Sequence, residues 1–350
     1  MGYTVSQIQG VIASTRETNP EKKWTDLASE YQEYPGFNHL MNRSNMKYGS
    51  GTEIQFNIVY DRNKTAKHTA LYEVDSPSQD DYIKQGTVPW IFSQADYSFD
   101  IREPKINSGT AEQLIDLVKE RKETCRLDLA TLVENAFWSK PANSSDARTP
   151  FGIFYWIVKA SGKTALADTG FNGGNPTGFS DGAAGINSDI YTRWKNWAGN
   201  YVTVSKADLI KKMRKAAEET FFVSPMSVPS YEPKSVENRF QVYTNLSVKQ
   251  DMEDVGEAQN ENLGRDIASM DGVMMFRRNP IKWVPLLDSD TSNPVMFLNW
   301  DVLTARCLKG EFMRESTQTS ATQHNVINAF TDLSWNIVCT NRRRLSILSI

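Results

Sequence analysis

The chain has 350 residues, a hydrophobic share of 39%, and 39 Lys+Arg against 42 Asp+Glu. That length fits one large domain or two to three small ones, and the near-neutral balance excludes a protein that grips nucleic acid through many phosphates. Cys125, Cys307 and Cys339 are odd in number and form no CxxC pair, so neither a zinc site nor a disulfide framework is indicated and a reducing cytoplasm suits them, and no apolar run is long enough to cross a membrane.

In chain order, residues 1–45 are polar, with Trp24, Leu27, Tyr31 and Tyr34 at helical spacing before Pro35-Gly36 breaks the pattern. This reads as an arm with a short helix, then extended chain. Thr52 to Tyr60 alternates, placing Ile54, Phe56 and Ile58 on one face, and Val88 to Ile101 alternates more loosely through Phe92, Tyr97 and Phe99. The intervening stretch contains no convincing helix and is too long for an ordinary hairpin turn, so a neighbouring copy is expected to hold it.

A long helix is predicted over 110–138. Thr110-Ala111-Glu112-Gln113 is a capping box, Leu114 to Phe137 supplies an apolar stripe, and Lys140-Pro141 ends it. A Gly- and aromatic-rich stretch follows from Phe151, and a second helix is expected from Ser205 to Phe221. Phe240 to Val248 reads as a strand and Asp251 to Leu263 as an acidic helix. Met270 to Pro285 reads as two strands turning at Asn279-Pro280, and the chain from Val295 onward as sheet.

The motifs that would carry chemistry are incomplete. Gly178-Phe179-Ser180-Asp181-Gly182 fits the spacing of a serine-hydrolase elbow, with His324 as a downstream partner, but it lies in a Gly/Pro loop rather than between a strand and a helix. Ser161-Gly162-Lys163-Thr164 lacks the earlier glycine of a phosphate loop, Ile157 standing in its place. Asp288-Ser289-Asp290 opens like a calcium loop that Asn293 and Asn299 fail to complete. Glu253 and Glu257, one helical turn apart, read as a solvated face, and His39, His68 and His324 share no ligand spacing. No catalytic residue, cofactor or metal ligand is therefore expected. Lys211, Lys212, Arg214 and Lys215 read as a solvated helix face. Arg342, Arg343 and Arg344 are either a charged sheet edge or candidate contacts to DNA.

Several segments together carry a resemblance. They are Glu134-Asn135-Ala136-Phe137-Trp138-Ser139-Lys140-Pro141, the loop Gly170 to Phe179, Tyr191-Thr192-Arg193-Trp194-Lys195-Asn196-Trp197 and Asn262-Leu263-Gly264-Arg265-Asp266. Phe276-Arg277-Arg278-Asn279-Pro280, Trp283-Val284-Pro285, Lys309-Gly310-Glu311-Phe312-Met313-Arg314-Glu315 and Gln323-His324-Asn325-Val326 complete the set. In this order and spacing the chain resembles the major capsid proteins of tailed bacteriophages from about residue 100 onward.

The resemblance implies an α+β chain of the Hong Kong 97-type capsid fold, with an N-terminal arm at 1–45 and an extended hairpin loop at 46–105. A peripheral domain at 106–150 would be built on the spine helix, followed by an axial domain at 151–300 and return strands of the peripheral domain at 301–350. It implies a non-enzymatic subunit forming the hexamers and pentamers of an icosahedral head around double-stranded DNA. The expected partners are further copies of itself, a portal protein, and separate scaffolding and decoration proteins. DNA contact would be weak and non-specific, with no membrane, and the product would be a virion assembled in the host cytoplasm. An encapsulin-like cellular nanocompartment shell is the alternative with the same fold. Within the loop, outgoing Arg62, Lys64 and Lys67 oppose returning Glu73, Asp75, Asp80 and Asp81, a sign pattern that could set register against adjacent subunits.

Overall fold

The computed structural model describes residues 33–42, 45–61, 65–72, 74, 81–102, 111–221, 240–260, 274–277, 279–319 and 325–350, with backbone alone for 111–119, 257–260, 318 and 319. The short helix α1, Pro35–Leu40, leads into strand β1, Lys47–Gly49. Strands β2, Glu53–Val59, and β3, Ile83–Pro89, form a two-stranded antiparallel sheet. The strict alternation of β2 buries Ile54, Phe56 and Ile58 and exposes the residues between them. Strand β4, Ile91–Asp100, follows directly.

The long helix is present as α2, Ala111–Phe137; Thr110, the first residue of the predicted capping box, lies outside the described residues. At 1.5 Å per residue α2 is roughly 40 Å long. It packs on β4 and on α1. A single turn, α3, Ile153–Trp156, buries Ile153, Tyr155 and Trp156.

The next elements supply two helices and six strands of a seven-stranded sheet. They are β5, Gly170–Gly173; β6, Asn196–Asn200; helix α4, Leu209–Glu219; β7, Gln241–Thr244; helix α5, Leu246–Asn260; β8, Met275–Phe276; β9, Asn279–Trp283; and β10, Val295–Leu298. After them come β11, Leu303–Leu308, β12, Arg314–Thr319, β13, Val326–Cys339, and β14, Ser346–Ser349.

Two further sheets result. In the first, the 14-residue β13 is central, pairing with β4 along Val326–Trp335 and with β12 and β11 in succession, while β1 adds in parallel to β11. In the second the order is β5-β6-β14-β10-β7-β9-β8. This sheet is buried on both faces, and successive residues divide between two cores. Trp197, Val242, Val295, Phe297 and Leu348 pack against Leu209, Met213, Val248 and Met252 of α4 and α5. Ala198, Tyr243, Met296, Leu298 and Ile347 face the main core with Phe137, Trp138 and Trp156.

Three expectations are corrected. The segment from Phe240 is a strand only to Thr244, because Asn245 caps a helix, its Oδ1 accepting from Val248 N at 3.2 Å. The β8–β9 turn falls at Arg277, whose φ is 49°, so Asn279-Pro280 opens a strand instead of turning it. The last strand leaves the sheet of β11–β13 and inserts between β6 and β10, so the segment 301–350 serves both sheets. The three cysteines are buried and free.

Candidate inter-subunit surface

The β2–β3 hairpin carries the loop that the sequence singles out. Phe56 at its centre packs edge-on to Trp156, ring centroids 6.5 Å apart, and against Trp194 at 6.3 Å. Gly86 sits opposite, where a Cβ would meet the Phe56 ring at 2.6 Å. At the base of the loop Tyr60 N donates to Tyr82 O at 3.0 Å and Tyr60 Oη to Asp81 O at 2.6 Å. The Tyr60 ring meets Tyr191 edge-on, Lys84 lies over the same Tyr191 ring, and Asp61 pairs with Arg193 at 3.6 Å. The root of the loop is therefore clamped to the body.

Beyond that root the described residues 65–72 and 74 are all exposed. Leu71, Tyr72 and Val74 are 85%, 96% and 89% accessible. Single exposed apolar residues are ordinary; here three of them fall within four positions of one loop. Of the seven charged loop residues, Lys67 and Asp81 are described and both are exposed. Arg62, Lys64, Glu73, Asp75 and Asp80 lie outside the described residues.

The arginine triplet behaves otherwise than expected. Arg342 is completely buried: Nε donates to Trp156 O at 2.8 Å, Nη1 to Trp194 O at 2.9 Å, and Nη2 to Gly174 O and Asn196 Oδ1. These four hydrogen bonds make the guanidinium a staple across three segments, so Arg342 presents nothing to DNA. Burial pulls its guanidinium down to about 10, still far enough above neutrality to remain charged. Arg343 is half-buried over the Phe171 ring at 4.3 Å, and Arg344 is also half-buried. The lysine cluster on α4 is likewise split. Lys211 and Arg214 are solvated, whereas Lys212 is buried against Asp208 and Lys215 donates to Leu166 O and Thr169 O.

Against solved structures, the chain superposes on the capsid asymmetric unit of Cyanophage A-1(L) with a TM-score of 0.61 at 14% identity, covering 94% of this chain and 96% of that one. The capsid of a native GTA particle gives 0.58 at 10% identity over 97% and 98%, and that of an empty GTA particle 0.54 at 9% over 94% of each. The chain has a tailed-phage capsid-type fold. No protein-family model matches the sequence, and no curated protein matches it.

Within the capsid-type fold the chemistry-like motifs fall in structural positions. Ser180 is on an exposed turn flanked by Gly178 and Gly182, both with positive φ, and no helix follows it; His324 lies outside the described residues. Ser161 to Thr164 is a surface turn. Asp290 bonds its own backbone at Ser292 N and pairs with Lys159 at 2.5 Å. No cluster of three metal-ligating side chains occurs among the described residues. His39 stacks on Trp300 with centroids 4.2 Å apart, while His68 is exposed. Glu253 is half-buried on α5; the Glu257 side chain lies outside the described residues.

Sequence reasoning passes over one buried carboxylate. Glu134 of α2 is 2% exposed; its Oε1 accepts from Gly36 N at 3.2 Å and Trp138 Nε1 at 2.7 Å, and its Oε2 from Phe37 N at 2.7 Å. It joins the long helix to the start of α1. The readable signal is a charged residue on the apolar stripe, between Val133 and Phe137.

Proposed function

We propose that this chain is a major capsid protein, a structural subunit that assembles as hexamers and pentamers into an icosahedral phage head around double-stranded DNA. One observation carries the reading: the capsid-type fold accounts for nearly the whole chain in both directions, 94% and 96% against the cyanophage capsid. The exposed apolar loop tip supports it, since copies arranged in rings by heterologous contacts offer that tip somewhere to bury. In this reading residues 1–45 are the arm, 46–105 the extended loop, 106–150 the spine-helix peripheral domain, 151–300 the axial domain, and 301–350 the return to the peripheral domain, except that its last strand, β14, joins the seven-stranded sheet. The work is structural and not catalytic, and the site is the virion. A portal protein joins the shell, with separate scaffolding and decoration proteins as further partners. Arg343 and Arg344 remain the members of the triplet suited to light contact with packaged DNA.

Purified protein examined by negative-stain microscopy, with nucleic acid measured inside any particles made during phage growth, tests the reading. Isometric shells that fill with DNA are expected. A discrete small oligomer under all assembly conditions contradicts the shell, and shells that stay free of DNA and hold an enzyme favour the nanocompartment.

A further inference from the structure

Strand β11 alternates strictly, turning Leu303, Ala305 and Cys307 into the core and Thr304, Arg306 and Leu308 to the opposite face. In register, Thr304 lies beside Val338 of β13, and Arg306 lies between Asn336 of β13 and Lys47 of β1. Along β13 this face is covered, with Val338 and Asn336 buried. The margin toward β1 is open: Lys47 is exposed, and Thr304 and Arg306 are half-buried.

None of these neighbours can accept from Arg306 or Thr304. The Val338 side chain has no polar atom. Asn336 is fully engaged: its Oδ1 accepts from Phe151 N at 2.9 Å and Ile337 N at 2.8 Å, and its Nδ2 donates to Pro89 O at 2.8 Å. Lys47 is a second cation on the next strand, about 4.8 Å away in the pairing direction, and like charges side by side repel. Arg306 Nε and Thr304 Oγ1 accordingly have no partner, and no carboxylate among the described residues pairs with Arg306 or Lys47. Burial lowers the Arg306 guanidinium with nothing acting against it. A cation partly withdrawn from water without an acceptor is destabilising, and an anion from outside removes that penalty.

Charge and donor geometry select the anion. Two cations balance a dianion. A carboxylate brings one charge and two coplanar oxygens, whereas a phosphate near neutral pH brings close to two charges and a tetrahedral set of acceptors. Thr304 and Arg306 are two positions apart on β11, about 6.8 Å along the strand, a gap that one phosphate spans with a hydrogen bond at each end. We propose that Lys47, Arg306 and Thr304 form a binding site for a phosphate dianion, free or as a terminal phosphomonoester. Arg306, held by no hydrogen bond among the described residues, can turn its fork of N–H donors onto the anion; Lys47 adds its ammonium and Thr304 its hydroxyl. The site is complete within one chain, so it stands apart from the shell reading.

Calorimetric titration of the purified full chain with inorganic phosphate and with glycerol 3-phosphate tests the site, with sulfate as a dianion that does not titrate. Each variant's melt in chloride buffer is the folding check. All three are expected to bind saturably, and the two phosphates, unlike sulfate, to weaken as pH falls below about 6, where the dianion takes up a proton. Lys47→Gln and Arg306→Gln are each expected to weaken binding roughly tenfold. Thr304→Val keeps the shape and both charges and is expected to weaken it roughly threefold. Should Arg306→Gln fail to fold, Lys47→Gln and Thr304→Val decide. Absence of saturable binding overturns the proposal, as does binding indifferent to Lys47→Gln and Thr304→Val. So does a double-stranded oligonucleotide or an acidic peptide that needs these residues while the free dianions do not bind. Particle formation enters none of these readings, so a failed site leaves the capsid proposal standing.

Discussion

Glu134 shows how a single side chain can govern the attachment of a segment. Burial holds its carboxyl above the ordinary 4.5, while the bonds from Phe37 N, Trp138 Nε1 and Gly36 N pull the other way. A raised folded value means the folded chain binds the proton more tightly than the unfolded one. The associated stability is therefore fully present below 4.5 and is lost as pH rises through the folded value. Glu134→Gln removes that slope and turns an amide NH2 toward a backbone donor. The variant is expected to unfold about 1–3 kcal/mol more easily, with the gap to wild type narrowing as pH rises. Denaturant unfolding across that range checks both points, and a gap that widens with pH contradicts the assignment. Arg342 teaches a related lesson about legibility. Three consecutive arginines look like a surface cluster, and nothing local reveals that the carbonyls of Trp156, Gly174 and Trp194, far away in sequence, converge on the first of them. Lys212 departs from the solvated-face expectation for the same reason: its burial comes from the tertiary packing of α4, with Asp208 one turn earlier as its partner.

Among elements, those with a strong period were the ones legible from sequence. The helix expected over 110–138 appears as Ala111–Phe137, and the alternation of Thr52 to Tyr60 appears as β2 with the expected three residues inward. Short segments fared worse, because a few apolar residues satisfy either period. Leu246 to Val248 joined a helix, and the Asn245 cap was the readable signal that outweighed the apolar run. The hairpin also contains a position whose size is fixed. Phe56 is held between Trp156 and Trp194, so its ring cannot retreat from a side chain at position 86. Gly86→Val is expected to cost about 1–3 kcal/mol by overpacking. It should also make residues 60–82 more susceptible to limited proteolysis; an unchanged cleavage pattern and melt would show that the ring has room to move.

At the scale of the whole molecule, the exposed loop makes assembly and folding separable. Replacing Arg62, Lys64 and Lys67 together with Glu is expected to leave the monomer's melt unchanged while sharply reducing particle yield. Sedimentation of the triple variant beside wild type measures this, and normal yield would sink the role given to the loop's outgoing charges. The order of hairpin, long helix and C-terminal sheet could be read in advance because each piece has a local pattern. The crossing of β14 into the other sheet could not, since four apolar-polar residues specify a strand but not its neighbours.

That crossing bears on how new chains are vetted. Ser346–Ser349 is flanked by β6 on one side and β10 on the other, so the seven-stranded sheet has a gap in its middle until translation has passed residue 349. A nascent or prematurely terminated product ending before that point would leave the edges of β6 and β10 unpaired and both cores short of an apolar residue, Ile347 in one and Leu348 in the other, a species fit for chaperones and proteases. Only a polypeptide that includes β14 can close this sheet.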